Sequence, residues 1–200
     1  TQLSNDASEI LDILLLTNAY YPELNISKEQ FTKLKSNWFI KNSNFQLIEK
    51  YLLKNQIINE NPELTKHLVN FYLSRSDVKK SCEIFSKIED PIKDEYLSKF
   101  NIYCLINSKK REEAQLLIDL KKELGFKDEF YESKMSYLMG YKNEPETDIS
   151  EKTILDFHLS HRTNPKFKFI PTENTSRQIW KYLSTSNLLD KIQEIDITDI

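Results

Sequence analysis

Apolar residues return along this chain at a fixed interval of 33 positions. Three consecutive apolar positions recur four times, as Trp38-Phe39-Ile40, Phe71-Tyr72-Leu73, Cys104-Leu105-Ile106 and Tyr137-Leu138-Met139. A second set, formed by Ile48, Ser81 and Ala114, keeps the same spacing. A period between about 20 and 50 residues is typical of stacked repeats, and near 33 the usual unit is a pair of antiparallel helices. The pattern therefore predicts an all-α fold, namely an α-solenoid of helix-hairpin repeats.

Polar residues mark where the predicted helices begin. Ser27 with Gln30 forms a capping box, Pro62 suits a first helical turn after Asn61, and Asp77 is a cap before an apolar stripe. Together with the helical spacing of apolar residues, these signals predict helices over about residues 5–17, 28–41, 44–52, 63–74, 78–88, 92–106, 110–124, 128–139 and 150–158, with a last one from about 175.

The period divides the chain into three parts. Residues 1–27 are predicted to form an N-terminal helix and linker, and residues 28–140 hold three and a half helix-hairpin repeats. The period fails at Asn143 to Asp148, a polar stretch that contains Pro145. Residues 141–200 are therefore predicted to be a divergent helical cap, with an extended segment at 163–171 between its helices.

Two stretches resemble known helical repeats. Residues 68–85 and 103–125 are similar to the helix pairs of tetratricopeptide and pentatricopeptide repeats, with Ala114 at the position of the small residue that lets the two helices lie close. Ile48 and Ser81 stand where the family prefers alanine. The resemblance implies a curved stack whose concave face binds a peptide or protein. A pentatricopeptide relationship would instead imply single-stranded RNA as the ligand.

Composition and charge narrow the function. The chain has 200 residues, with 28 Lys and Arg against 31 Asp and Glu, so its formal charge of −3 leaves no basic field to attract nucleic acid. The apolar runs, such as Ile13 to Leu16, are much shorter than a membrane span, so we expect no membrane span. Because the sequence starts at Thr1 and ends on an apolar alternation, we expect a piece of a longer protein.

Cys82 and Cys104 are the most testable pair. The turn between their predicted helices lies midway between them, so an antiparallel hairpin would bring the two residues opposite each other. They form either a disulfide or two small free thiols, one buried and one near the surface. A disulfide would indicate a periplasmic or secreted protein, and free thiols would indicate a cytoplasmic one.

Nothing in the sequence predicts catalysis, a metal or a cofactor. The chain has only three histidines, His67, His158 and His161, and no Cys-x-x-Cys motif that would complete a metal site. Its two glycines are isolated, which excludes a glycine-rich phosphate loop and a nucleophile elbow. We therefore expect no enzyme activity and no cofactor.

One segment alternates cations with aromatic residues between two prolines. It contains the candidate partner-binding residues Arg162, Lys166, Phe167, Lys168 and Phe169. The segment is either a strand-like arm that docks on a partner, or an arm whose phenylalanines pack into the core of the chain itself.

The sequence as a whole predicts a scaffold. We expect a non-catalytic protein-interaction or scaffolding segment of a longer protein, with a protein or peptide as partner and no nucleic acid. The main alternative is the structural superhelical arm of a larger enzyme, similar to the helical part of lytic transglycosylases. Single-stranded RNA binding is the third hypothesis. The sequence does not predict the identity of the partner or the oligomeric state.

Overall fold

The structure, a computed structural model, describes residues 4–16, 22, 24–42, 45–55, 58–86 and 90–189. Within these residues it is all-helical and contains no strand, which confirms the predicted all-α class. Its helices are α1 (Asn5–Leu16), α2 (Lys28–Asn42), α3 (Phe45–Asn55), α4 (Pro62–Leu73), α5 (Val78–Glu83), α6 (Glu95–Asn107), α7 (Arg111–Glu123), α8 (Glu129–Leu138), α9 (Ile154–Thr163) and α10 (Arg177–Thr185).

The predicted capping residues start the helices through their side chains. At α2, the amide of Gln30 donates to the Ser27 hydroxyl (3.2 Å), while the Ser27 amide donates to the Gln30 side chain (2.9 Å). Asp77 accepts from the Lys80 amide at the start of α5. Because such bonds satisfy backbone amides that have no partner within the helix, local sequence alone fixes these helix starts.

Four predicted helix boundaries were wrong. α6 begins at Glu95 rather than near residue 92, because Asp94 accepts from the Leu97 amide and caps the helix there. α9 begins at Ile154 rather than near residue 150, because the Thr153 hydroxyl takes the capping position. It runs on to Thr163, so the non-helical segment starts one residue later than predicted. α5 ends at Glu83 rather than near residue 88, in a tighter turn.

Contacts divide the chain into two compact units. The first comprises Thr1–Leu68 and Ser86–Leu97. Its buried side chains include Phe39, Ile48, Leu52 and Leu64, each at most 1% exposed. Ile48 and Leu52, four positions apart, lie on the buried side of α3.

The second unit comprises Val69–Phe85 and Ser98–Ile200. Here α9 packs against both α8 and α10, and Leu155, Phe157 and Leu159 of α9 have no exposed surface. α9 is the most completely buried of the described helices, with eight of its ten residues buried. It therefore forms the centre of the region that the sequence predicts to be a divergent cap.

The polar stretch where the period fails covers a buried lysine. Lys134 of α8 is 1% exposed, and its Nζ donates to the main-chain carbonyls of Glu146 (2.9 Å) and Asp148 (2.8 Å). The Lys134 ammonium also lies 5.0 Å from the centre of the Phe130 ring. A buried ammonium needs hydrogen-bond acceptors. Irregular backbone supplies free carbonyls, whereas carbonyls within a helix already accept from amides of that helix. This contact gives the irregular segment a defined place on α8.

No helix among the described residues is both long enough and apolar enough to cross a membrane. This finding agrees with the expectation drawn from the short apolar runs in the sequence.

Candidate functional site

α7 exposes a row of leucines to solvent. Leu116 is 69% exposed, Leu120 is 47% exposed and Leu124, the residue that caps the end of the helix, is 80% exposed. Residues four positions apart lie on one side of a helix, so the three side chains form a continuous stripe, which we name the leucine face. The opposite side of α7 is buried through Ala114 and Ile118.

Charged residues lie along the edges of the leucine face. Four exposed acidic residues lie three or four positions from one of its leucines: Glu112, Glu113, Asp119 and Glu123. Two of them have partners nearby, since Lys110 pairs with Glu113 at 3.1 Å and the Gln115 side-chain amide donates to Asp119 at 2.7 Å. By the same spacing the exposed Lys127 lies beside Leu124, so the face is apolar along its centre, with carboxylates beside Leu116 and Leu120 and a lysine beside Leu124.

A cavity of about 360 Å³ lies beside α7 and α8, on the side of α7 that carries Gln115 and Ile118. Its floor is formed by buried apolar side chains of three helices: Ile102, Ile118, Tyr131, Met135 and Met139. The Phe126 ring adds a further apolar wall. We name this space the α7–α8 cavity. Its volume falls within the range of small-molecule sites, at about 300–1,000 Å³.

Charged groups stand at the rim of the α7–α8 cavity. Lys121 and Lys122 come from α7 and Glu132 comes from α8. Lys122 and Glu132 form an ion pair at 3.0 Å, and this hydrogen bond is the main reason that the pKa of Glu132 lies below its usual value. The Lys121 ammonium lies 4.9 Å from the centre of the Phe126 ring. The rim thus carries two cations and one anion.

The structure joins Cys82 of α5 to Cys104 of α6. Their sulfur atoms are 2.02 Å apart and their Cα atoms are 5.4 Å apart, as in a disulfide. The phenylalanine pair Phe85–Phe100, at 5.6 Å between ring centres, also joins the turn after α5 to α6.

The alternating segment after α9 turns its aromatic residues inward. Phe167 is 5% exposed, and both Phe167 and Phe169 pack on the Phe157 ring, at 5.6 and 4.8 Å between ring centres. Arg162, Lys166 and Lys168 are exposed. The segment thus has the geometry of the second alternative, an arm packed on its own core, and its cations are what it offers to solvent.

Two histidines join a buried chain of hydrogen bonds. The Tyr103 hydroxyl lies 2.6 Å from His158 Nε2, and the Tyr182 hydroxyl lies 2.9 Å from His158 Nδ1 and 2.8 Å from His161 Nδ1. Burial, reinforced by the charge of Arg162, lowers the pKa of His158 to about 3. His158 is 3% exposed, so no substrate reaches it in this arrangement.

His67 lies apart from the other two histidines. Its ring stacks on Phe45 at 5.1 Å between ring centres, and burial lowers its pKa. In the part of the chain that the structure describes, no group of three or more His, Cys, Asp or Glu side chains is arranged to hold a metal ion.

No family model, no curated protein sequence and no solved structure matches this chain. Its function is therefore argued from its own surfaces.

Sequence reasoning missed both the leucine face and the α7–α8 cavity. A row of leucines at intervals of four residues is also the pattern of a buried stripe, so spacing alone does not distinguish the exposed side of α7. The one available signal was that α7 carries apolar residues on more of its circumference than one buried face requires. Only the exposed fractions of the side chains in the structure distinguish the two sides of α7.

Proposed function

We propose that this chain is a non-catalytic protein-interaction or scaffolding segment, built as an α-solenoid of helix-hairpin repeats. In this proposal, the partner binds at the leucine face of α7. Solenoids present helix surfaces to partners rather than enclosed reaction centres, and an exposed apolar helix face is typical of an interaction site.

Equivalent burial and equivalent turns support the repeat. Ile48, Ser81 and Ala114, which are spaced by 33 positions, have no exposed surface. The turns before α5 and α7 also correspond, because Ser76 (φ 59°) and Lys109 (φ 64°) are both left-handed and lie 33 positions apart. The hydrogen bonds agree as well: the amides of Ser76 and Lys109 each donate to the carbonyl three residues earlier. The sequence period thus coincides with a recurring local geometry.

An ion pair also recurs at nearly this interval, with its lysines 33 positions apart and its aspartates 34 positions apart. Lys66 Nζ lies 2.7 Å from the Asp94 carboxylate, and Lys99 Nζ lies 2.8 Å from the Asp128 carboxylate. Each aspartate caps the helix that follows it, α6 or α8. A lysine from one repeat thus binds the cap of the next repeat, as expected in a structure where each unit contacts its neighbours.

The leucine face is the observation that carries the proposal. Monomeric proteins expose single apolar residues commonly, but an aligned row of three large ones on a helix is the kind of patch that marks an interface. Covering one exposed leucine completely is worth about 1.5–3 kcal/mol. Three such side chains provide a sufficient apolar centre for a specific but modest interface.

The charge around the leucine face indicates the chemistry of the partner. The carboxylates beside Leu116 and Leu120 favour a cationic amphipathic helix, whose apolar stripe would cover the leucines while its lysines or arginines meet those carboxylates. A second copy of the same face would bring eight carboxylates together. Residues 190–200 carry four acidic residues and one lysine, so their net negative charge also makes them a poor match for the leucine face. The acidic edges also disfavour RNA.

A synthetic helix tests the proposal. The probe is a labelled peptide of leucine and lysine with leucines at helical spacing. The control is the same peptide with glutamate in place of lysine. We expect the lysine peptide to bind with an affinity that falls as salt rises, and the glutamate peptide to bind at least tenfold more weakly. Fluorescence anisotropy titrations measure both affinities.

Variants locate the binding surface. The double substitution of Leu116→Ala and Leu120→Ala is expected to lower the affinity for the lysine peptide at least tenfold, because two contacts that the peptide would bury are lost. Leu34→Ala, at a residue of α2 that is 55% exposed, is the control and should leave the affinity unchanged. Equal affinity of the unsubstituted protein and the two variants for the lysine peptide would overturn the proposed site. Equal affinity for the two peptides would overturn it as well.

A further inference from the structure

Residues 162–181 are basic within a chain that is acidic overall. They contain five Lys and Arg residues against one acid, Glu173, whereas the formal charge of the whole chain is −3. All five cations are exposed. The Arg162 guanidinium hydrogen-bonds to Tyr103. In the part of the chain that the structure describes, no carboxylate forms an ion pair with the other four cations, which are Lys166, Lys168, Arg177 and Lys181.

The segment after α9 presents two of these cations on its outer side. Burial alternates along it, because Phe167 and Phe169 pack on the Phe157 ring while the residues between and beside them are exposed. The outer residues are Lys166, Lys168 and Ile170, and Ile170 is 64% exposed. This side therefore combines two ammonium groups with one large apolar side chain.

α10 has a similar exposed side. Its buried residues are Ile179, Tyr182 and Leu183. The exposed residues Arg177, Trp180 and Lys181 are three or four positions apart, so they share the opposite side of the helix. The Trp180 side chain is 42% exposed. Two cations thus flank an exposed indole ring.

The segment after α9 and α10 are neighbours, because their inner aromatic rings share two partners. Phe167 and Tyr182 lie 5.6 and 5.7 Å from the Phe157 ring, and 5.1 and 5.8 Å from the His161 ring, between ring centres. We name the exposed residues of both elements the basic surface, which consists of Lys166, Lys168, Ile170, Arg177, Trp180 and Lys181.

The chemistry of the basic surface suits a bilayer that contains anionic lipids. Negative headgroups attract Lys and Arg side chains near the membrane, and tryptophan is enriched at the boundary between headgroups and hydrocarbon. Lysine can keep its ammonium among headgroups while its aliphatic stem lies deeper. RNA or an acidic peptide would also pair with the cations. A bilayer accounts for the exposed Ile170 and Trp180 as well, since both would enter its interface.

We infer that the basic surface binds the surface of bilayers containing anionic phospholipids, with its four cations among the headgroups and with Ile170 and Trp180 at the interface. In this arrangement the chain lies on the membrane. The basic surface shares no residue with the leucine face, so this inference does not depend on the partner proposed for α7.

Co-sedimentation of the full chain with lipid vesicles tests the inference. The probes are vesicles of phosphatidylcholine alone and vesicles that contain about 30% phosphatidylserine. At an ionic strength of about 0.1 M, we expect at least tenfold stronger binding to the phosphatidylserine vesicles. The difference between the two kinds of vesicle should disappear at about 1 M salt, where the Debye length falls to about 3 Å.

Charge-reversed variants locate the binding surface. The double substitution of Lys166→Glu and Lys168→Glu should lower the affinity for phosphatidylserine vesicles at least tenfold, because two attractive charges become repulsive. The matched control is the double substitution of Lys50→Glu and Lys54→Glu, at two exposed lysines of α3, which changes the net charge equally. The control should lower the affinity by less than about threefold.

Trp180 reports directly on contact with the lipid. The chain contains two tryptophans, Trp38 and Trp180, so all tryptophan emission comes from Trp180 in a Trp38→Phe variant. Phosphatidylserine vesicles should shift this emission to shorter wavelengths, because the indole ring moves from water to the interface, and phosphatidylcholine vesicles should not.

Two soluble polymers, poly(U) and polyglutamate, distinguish a bilayer from other polyanions. Compared at equal concentration of negative charge, both should bind more weakly than the phosphatidylserine vesicles, because neither offers an apolar interface to Ile170 and Trp180. Tighter binding to either polymer, equal binding to the two kinds of vesicle, or equal losses in the two charge-reversed variants would overturn the inference. Unshifted Trp180 emission at saturating phosphatidylserine vesicles would overturn it too.

Discussion

His158 shows how a buried polar residue is held neutral. The imidazole has one proton to donate, and the Tyr103 and Tyr182 hydroxyls occupy its two nitrogens. If the Tyr182 hydroxyl donates to His161 Nδ1, it accepts from His158 Nδ1, and Tyr103 then donates to His158 Nε2. Both nitrogens of His158 are then satisfied by a neutral ring, and the Arg162 guanidinium, which hydrogen-bonds to Tyr103, disfavours a second charge, so the network stabilises the fold only while His158 remains unprotonated.

Acid should weaken the fold through His158. Its pKa is about 3 in the folded state against 6.5 in the unfolded chain, so the unfolded state takes up the proton first as the pH falls. The contribution of neutral His158 to the free energy of unfolding is complete above pH 6.5 and is lost as the pH falls towards 3. The loss reaches about 3 kcal/mol by pH 4. Urea unfolding at several pH values measures this dependence.

His158→Gln provides the comparison, because glutamine keeps a donor and an acceptor but does not titrate. The carboxylates and His67 are the same in both proteins, so they cancel in the difference between the two pH profiles. Parallel profiles for the two proteins between pH 7 and 4 would contradict this account of His158.

The Cys82–Cys104 bond acts between two helices, α5 and α6. The two residues are 22 positions apart, and closing a loop of that length in the unfolded chain contributes about 3 kcal/mol. Reduction, or the double substitution of Cys82→Ser and Cys104→Ser, should lower the free energy of unfolding by that amount. Thiol titration of the unfolded, unreduced protein should find no free thiol, and two titratable thiols would contradict the bond.

The recurring lysine–aspartate pairs should differ in strength. Lys99 is 8% exposed and relies on Asp128, whereas the side chain of Lys66 is 26% exposed and binds both Asp94 and Glu63. Asp128→Asn keeps an acceptor for the helix cap but leaves the Lys99 charge poorly compensated, which should cost about 2–3 kcal/mol. Asp94→Asn should cost about 1 kcal/mol or less.

Chemical denaturation of the two variants measures the difference. The pKa of Asp128 is lowered, because hydrogen bonds from Lys99 and the Tyr131 amide outweigh its burial. Its contribution is therefore present at neutral pH and is lost as the pH falls below the usual range of aspartate. A larger loss for Asp94→Asn than for Asp128→Asn would rule out this ranking.

Local chemistry explains which elements were predictable. Ser27, Asp77 and Asp128 bind backbone amides within three residues, so the sequence contains all the information that sets those helix starts. α9 was misplaced because Ser150 and Thr153 are both acceptable caps. The Ser150 hydroxyl accepts from the Lys152 amide before the helix, while the Thr153 hydroxyl accepts from the Asp156 amide and caps it.

At the scale of the whole molecule, the sequence predicted the helical class and the hairpin that brings Cys82 and Cys104 together. The solenoid itself remains a proposal, supported by periodic burial and recurring turns. The leucine face and the α7–α8 cavity were not predictable, because both depend on which side of α7 is covered by helices distant in sequence. The sequence shows which residues of α7 are apolar but does not show which of them are left exposed.

The central claim is that α7 offers the surface on which a cationic helix binds. The most direct test is NMR of protein labelled at the leucine methyl groups, titrated with the leucine–lysine peptide, with the signals assigned by single substitutions. We predict that the signals of Leu116, Leu120 and Leu124 shift most, while those of the exposed Leu24 and Leu34 do not move. Shifts that are largest away from α7, or no shift at saturating peptide, would contradict the account.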